Sequence, residues 1–126
     1  MGVAVTTNAG KVKAANLLAG NADLNVSKYI GFGTGTHVAN VTDTALTTEV
    51  SRVGTNSPSL VTTNITNDTV QVEQVYINAT AGVVVIKEAG VFDASSGGNM
   101  VSSFTFEPIS LEIGDSLVIT SQIAVA

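Results

Sequence analysis

The sequence predicts an all-β protein: an antiparallel β-sandwich, jelly-roll-like, with one short N-terminal helix. Three observations predict it. Val, Ile and Thr are abundant, while only 12% of residues are charged against 44% hydrophobic, and β-branched side chains suit a pleated surface. From residue 28 onward the apolar residues recur with a period of two, in short runs separated by Gly, Asn and Asp. No strand–helix–strand alternation supports a doubly wound fold. The 126 residues form one sandwich domain, with 1–27 as an N-terminal arm that carries the helix.

The helix is expected at 8–20, "NAGKVKAANLLAG". Asn8 can cap its start and Gly20 suits a left-handed end. Val12, Ala15 and Leu18 can share a docking face while Lys11 and Lys13 stay in water. In "KYIGFGTGTH" (28–37), Ile30 and Phe32 point one way, and Gly31 and Gly33 the other. A long polar loop follows. Within "DTALTTEVSR" (43–52) the spacing permits one helical turn, with Glu49 three residues before Arg52.

The remaining elements read as strands. "SLVTTNIT" (59–66) leads through an Asn67-Asp68 turn into 69–79, where Val70 and Val72 are out of phase with Val75 and Ile77. A bulge near Glu73-Gln74 would reconcile the two halves. The continuous apolar run of 82–93 predicts a central strand covered on both sides, and "DASSGGN" (93–99) a turn. Met100, Phe104 and Phe106 share a face, with Ser102 among them. Ile109, Leu111 and Ile113 alternate before Gly114-Asp115, and Leu117, Ile119, Ile123 and Val125 alternate after it, which reads as a hairpin.

Composition excludes several functions. Ten acidic residues against five basic ones leave a formal charge of −5, and the basic residues do not cluster as a polyanion binder requires, so no direct nucleic-acid contact is expected. Cysteine is absent, which removes disulfides, thiolate nucleophiles and sulfur-held metals. No leader-like N-terminus or apolar run of membrane-spanning length is present, so neither secretion nor a membrane partner is expected. Met1-Gly2 with Thr6 matches a myristoylation pattern only superficially.

"GFGTGT" invites comparison with phosphate-binding loops. A P-loop needs Gly-Lys-Ser/Thr before a helix, and the dinucleotide fingerprint needs a third Gly where Thr36 stands. The glycines Gly31, Gly33 and Gly35 read instead as positions of tight bending and close backbone approach. His37 is the single histidine; with Asp43 nearby it makes a poor metal site. A Ser–His–Asp triad could be assembled from such a Ser-rich chain, but no Gly-x-Ser-x-Gly elbow is present. Asp43, Asp68, Asp93 and Asp115 all adjoin turns, where Asp accepts backbone N–H bonds, and no Asp-x-Asp-x-Asp-Gly calcium loop occurs. Four Asn-x-Thr sequons, at Asn40, Asn64, Asn67 and Asn78, follow from an Asn/Thr-rich composition. Glu88 lies inside an apolar run and needs a partner if buried. Arg52, the single arginine, can pair with it as a structural clamp, or else with Glu49. No catalytic residue, cofactor or metal ligand is expected.

The order "TNAGK", "KYIGFGTGT", "TDTALTTEVSR", "TNDTVQV", "KEAGVFDASSGGNM", "LEIGDSLVIT" resembles small tailed-bacteriophage virion proteins. It also resembles the N-terminal module of phage tail-collar fibre proteins, which carry a similar Gly-x-Gly stretch, a "TxLxxExxR" segment and an "EaGlFDxxGnl" segment. Gly90 and Asp93 fall in the last of these. The resemblance implies a β-rich, non-enzymatic structural protein, made in the bacterial cytoplasm and carried on the virion. It implies a head decoration (cement) protein on the outer capsid surface, with the major capsid protein as partner and self-association as a homotrimer. No long downstream shaft follows, which favours decoration over the fibre alternative; a tail-collar or baseplate component is the second expectation. A carbohydrate-binding sandwich is the third, and it requires exposed aromatic platforms.

Overall fold

In the computed structural model, residues 3–20, 29–54, 59–62, 66 and 69–124 are described. Eight strands and one helix follow in the order β1 (Val3–Thr6), α1 (Asn8–Leu18), β2 (Tyr29–Gly33), β3 (Glu49–Gly54), β4 (Ser59–Val61), β5 (Thr69–Ile77), β6 (Val84–Phe92), β7 (Met100–Leu111) and β8 (Ser116–Ala124). They form two antiparallel sheets, β1-β7-β6-β2-β3 and β4-β5-β8. The predicted all-β, sandwich-like class is what forms. The Asn67-Asp68 turn, Asn64, Val125 and residues 63–65 of the expected 59–66 strand lie outside the described residues, as does 21–28.

The core between the sheets joins Ile30, Phe32, Ile86, Val91, Val101 and Leu111 of the larger sheet to Val72 and Tyr76 of the smaller. Phe32 and Tyr76 meet across it with ring centroids 5.3 Å apart, a tilted aromatic contact worth about 1 kcal/mol beyond its buried area. A second, smaller cluster of Leu46, Phe92 and Met100, with Tyr29 beside it, lies elsewhere in the molecule. Phe92 and Met100 pair across β6 and β7, so this cluster belongs to the larger sheet's other face. β6 is therefore central and covered on both faces, as its apolar run predicts.

Several expectations need correction. The N-terminal arm is not only a helix: Val3–Thr6 pairs with β7 along Thr105–Ser102. The helix cap is Thr7, not Asn8; its hydroxyl accepts from Gly10 N and donates to the carbonyl of Met100. The helix also docks by its first turn rather than an apolar face. Gly10 is its one buried residue, set so close to Val101 that a Cβ would lie 3.1 Å from Val101 Cγ1. Val12 and Leu18 are exposed, and Lys13 is half-buried.

No helical turn forms in 43–52; β3 starts at Glu49. The Glu49–Arg52 pair forms nonetheless, because the β2–β3 register skips Val50, and this bulge restores Glu49 to the side of Arg52. In β5 the register with β8 runs unbroken from Thr69 to Ile77, so no bulge occurs at Glu73-Gln74. Tyr76 takes the inward position, while Val75 and Ile77 are exposed. A bulge appears instead at Val101, where Val91 faces Ser102 and Phe92 faces Met100; it turns Met100 to the face opposite Phe104 and Phe106. Finally, the Gly114-Asp115 turn does not make a hairpin. It carries the chain from one sheet to the other, with β8 pairing with β5. Asn78 pins that turn: its carbonyl accepts Gly114 N at 2.7 Å and its N–H donates to Asp115 O at 2.9 Å. The Asn78 side chain is buried and donates to Gly82 O and Leu111 O.

Candidate functional site

The site is built on the glycine-rich strand. Across β2 and β6, Gly31 faces Gly90 and Gly33 faces Glu88. Three positions without a Cβ leave a trough on this face of the larger sheet. Glu88, 0% exposed, extends along it. A Cβ on Gly33 would fall 2.5 Å from Glu88 Oε2 and 2.7 Å from Thr48 O; one on Gly35 would fall 2.6 Å from both Glu88 Oε2 and Thr47 Cβ. The "GFGTG" glycines thus permit close approach, and a carboxylate is what approaches. Gly31 and Gly90 give room in the same way to the Phe92 ring edge and the Met100 methyl, each 2.8 Å from where a Cβ would stand.

Three backbone N–H groups converge on the carboxylate. Gly35 N and Thr48 N donate to Oε2 at 3.0 and 2.8 Å, and Thr47 N donates to Oε1 at 2.9 Å. The arrangement compensates a buried charge with charge-assisted hydrogen bonds. It fastens both ends of the 34–48 loop to the central strand. Arg52 is not Glu88's partner, contrary to the clamp expected between them.

His37 lies in the loop over this carboxylate. Its Nδ1 is 2.9 Å from Glu88 Oε1, but the nitrogen has no aligned hydrogen bond, so the contact is one of electrostatic proximity. On the other side, Nε2 is 3.3 Å from Ser103 Oγ and 3.3 Å from Asp43 Oδ2. Ser103 Oγ donates to Asp43 Oδ2 at 2.8 Å, and Asn40 N also donates to that oxygen at 2.9 Å. Acid, imidazole and hydroxyl therefore stand in the order of a nucleophilic triad. The chemistry does not follow from the order. Ser103 is 0% exposed, and its proton goes to Asp43. The cluster ties the 34–48 loop to β6 and β7. Among the described residues no group of His, Asp and Glu is placed to hold a metal.

Arg52 organises the adjoining segment. Its Nε and Nη2 donate to the two oxygens of Glu49, both at 2.7 Å, and its Nη1 donates to Ala94 O at 3.1 Å and Gly97 O at 2.7 Å. The guanidinium carbon stands 3.6 Å from the Phe92 ring centroid, a cation–π contact. The same 93–99 turn is held by Asp93, which accepts from Asn99 N at 2.7 Å and Asn99 Nδ2 at 3.0 Å and pairs with Lys13 Nζ at 3.0 Å. Burial pushes the Asp93 pKa up, but the Asn99 backbone and side-chain bonds, with Lys13, outweigh it and hold the carboxyl below its ordinary 3.8. Gly97 and Gly98 turn the chain with φ of 59° and 70°.

Two shallow clefts adjoin these networks. One, of about 320 Å³, runs between His37 and the Thr105–Pro108 segment of β7; the other, of about 340 Å³, lies between Glu49–Arg52 and Ser95–Gly97. Neither carries an aromatic platform in the open: all four Phe and both Tyr are buried or half-buried.

Of the residues singled out from the sequence, Gly31, Gly33, Gly35, Gly90 and Glu88 meet in the trough, while Arg52 and Asp93 hold the turn beside it. Asp43 and Asp115 accept turn N–H groups as expected; Asp68 is outside the described residues. Sequence reasoning missed Thr47, Thr48 and Ser103. The first two act through backbone N–H groups, which leave no side-chain signal, and Ser103 is one serine among many.

No protein-family model matches this chain, and no curated protein does.

Proposed function

We propose that this chain is a non-enzymatic structural protein of a tailed-phage virion, a decoration protein that binds the outer head lattice and stabilises it. One observation supports this reading above the others. Three separated segments, "GFGTG", "TALTTEVSR" and "EAGVFDASSGGNM", interlock around Glu88 and Arg52, and they are the segments that carry the resemblance to virion proteins. Within them Leu46, Phe92 and Met100 make one apolar cluster. Glu49, Arg52 and Gly97 make one polar network, and Gly33 and Gly35 exist beside a carboxylate. The shared motif residues thus have structural work to do in holding a shaped surface, which is what a lattice-binding protein needs. A surface poor in charge also suits a stable interface, because charged residues are depleted at interface cores. Each contact made on the lattice adds to the assembled shell by mass action.

The test is co-sedimentation of the purified chain with expanded heads and, separately, with tails. Saturable, stoichiometric binding to heads is expected. Binding to tails alone would replace the decoration reading with a collar, fibre or baseplate role, and binding to neither would remove the virion reading.

A further inference from the structure

Edge strands expose a row of unpaired backbone donors and acceptors, and proteins usually protect them by shortness, charge, proline or bulges. Among the described residues the two sheets have four edges, and three of them are protected. β1 and β4 span four and three residues, and β3 carries Glu49 and Arg52 together with a bulge at Val50. β8 has none of these devices. Its nine residues, "SLVITSQIA", contain no charge, proline or glycine, and its register with β5 is continuous. Among the described residues no strand pairs with its second edge.

We infer that β8 is a self-association surface: two copies of this chain pair β8 with β8 in antiparallel fashion, joining their small sheets into one sheet of six strands, β4-β5-β8-β8-β5-β4. A second copy is the occupant because of where the charge lies. The chain carries −5 overall, so identical molecules repel over most approaches, yet none of its ten acidic or five basic residues lies on β8. The nearest acid on the neighbouring strand, Glu73, is engaged by Thr120 Oγ1 at 2.8 Å.

The sequence of β8 is also compatible with pairing to itself. With Thr120 on the two-fold axis all nine residues find partners. Leu117 then meets Ile123 on the inward face, and Val118, 54% exposed in one copy, meets Gln122 on the outward face. The Leu117–Ile123 pair is apolar, and Thr120 meets its own copy on the axis, a Thr–Thr pair that favours cross-strand association. A nine-residue strand is about 30 Å long, so the contact falls near the ~1,000 Å² lower bound of specific interfaces, and the association is reversible. Two-fold pairing is isologous, so it builds dimers in place of the trimer the resemblance implies. It does not depend on the virion reading.

Sedimentation equilibrium of the full chain, at tens to hundreds of micromolar, tests this directly. The wild type is expected at twice its 12.8 kDa. Like charges directly opposite each other oppose pairing. Val118→Lys with Gln122→Lys, and Val118→Glu with Gln122→Glu, should therefore each sediment as monomers with unchanged far-UV circular dichroism. An equimolar mixture of the two should recover the dimer. A wild-type monomer or trimer, a dimer untouched by these charges, or a mixture that stays monomeric would overturn the inference. A dimer that binds neither heads nor tails would leave it standing while refuting the virion proposal.

Discussion

Replacing Glu88 by Gln changes one atom of the most buried charged group and tests whether the 34–48 loop is held by its carboxylate. Set with its oxygen where Oε2 now lies, the amide still accepts from Gly35 N and Thr48 N, but as a neutral group. That weakening costs about 1 kcal/mol per bond. Its NH2 then faces Thr47 N–H, and a buried donor left without an acceptor costs a further 1–3 kcal/mol or so. Water entering at the loop edge relieves part of this, leaving a loss of about 3 kcal/mol. For a domain of this size that corresponds to a fall in Tm of roughly 10 °C. Urea unfolding of Glu88→Gln beside Lys87→Gln reads the difference; Lys87 neighbours Glu88 on the same strand and is only half-buried. Amide exchange at Thr47 and Thr48 should accelerate in the Glu88 variant alone. If the loss is under about 0.5 kcal/mol, the range of ordinary surface substitutions, the carboxylate does not organise the loop.

Three other outcomes follow from the same geometry. Gly33→Ala should cost about 2–3 kcal/mol in the same unfolding assay, since its Cβ meets a backbone carbonyl as well as Glu88; Gly82→Ala, with nothing within 4 Å, should stay within about 0.5 kcal/mol. Arg52→Lys keeps the charge but loses the fork that serves Glu49, Ala94 and Gly97 together, and should cost about 1–2 kcal/mol, with faster exchange of amides in the 93–99 turn. Asp93 titrates below its ordinary 3.8 in the folded chain, so its stabilisation is complete above that value and fades as pH falls through the lower, folded pKa. The stability gap between wild type and Asp93→Asn, about 1 kcal/mol, should therefore be constant from pH 7 to 5 and close below pH 4; a gap that widens in acid contradicts this assignment.

The fold class was legible because β-branched content and period-two alternation are local properties of the chain. Positions decided by partners were not. Val75 and Ile77 are as apolar as core residues, and only the register of β5 on β8 shows that Tyr76 points inward instead. The Gly114-Asp115 turn looks alike whether its flanking strands pair or part; Asn78, more than thirty residues upstream, holds it where the chain passes between sheets. Bulges at Val50 and Val101 each shift a face by one residue, so Glu49 reached Arg52 without the helical turn that its spacing suggested, and Met100 left the face of Phe104 and Phe106. At the site, the glycines were readable as places of close approach. What approached them was not, because Glu88 is held by backbone N–H groups forty and more residues away.

The claim that the chain cements a head is tested most directly by heating DNA-filled heads stripped of accessory proteins, with and without a saturating amount of the chain, and recording the temperature at which DNA is released. Release is expected at a higher temperature when the chain is bound, rising with occupancy until the lattice is full. Saturable binding with an unchanged release temperature would contradict it, because such a protein would coat the head without stabilising it.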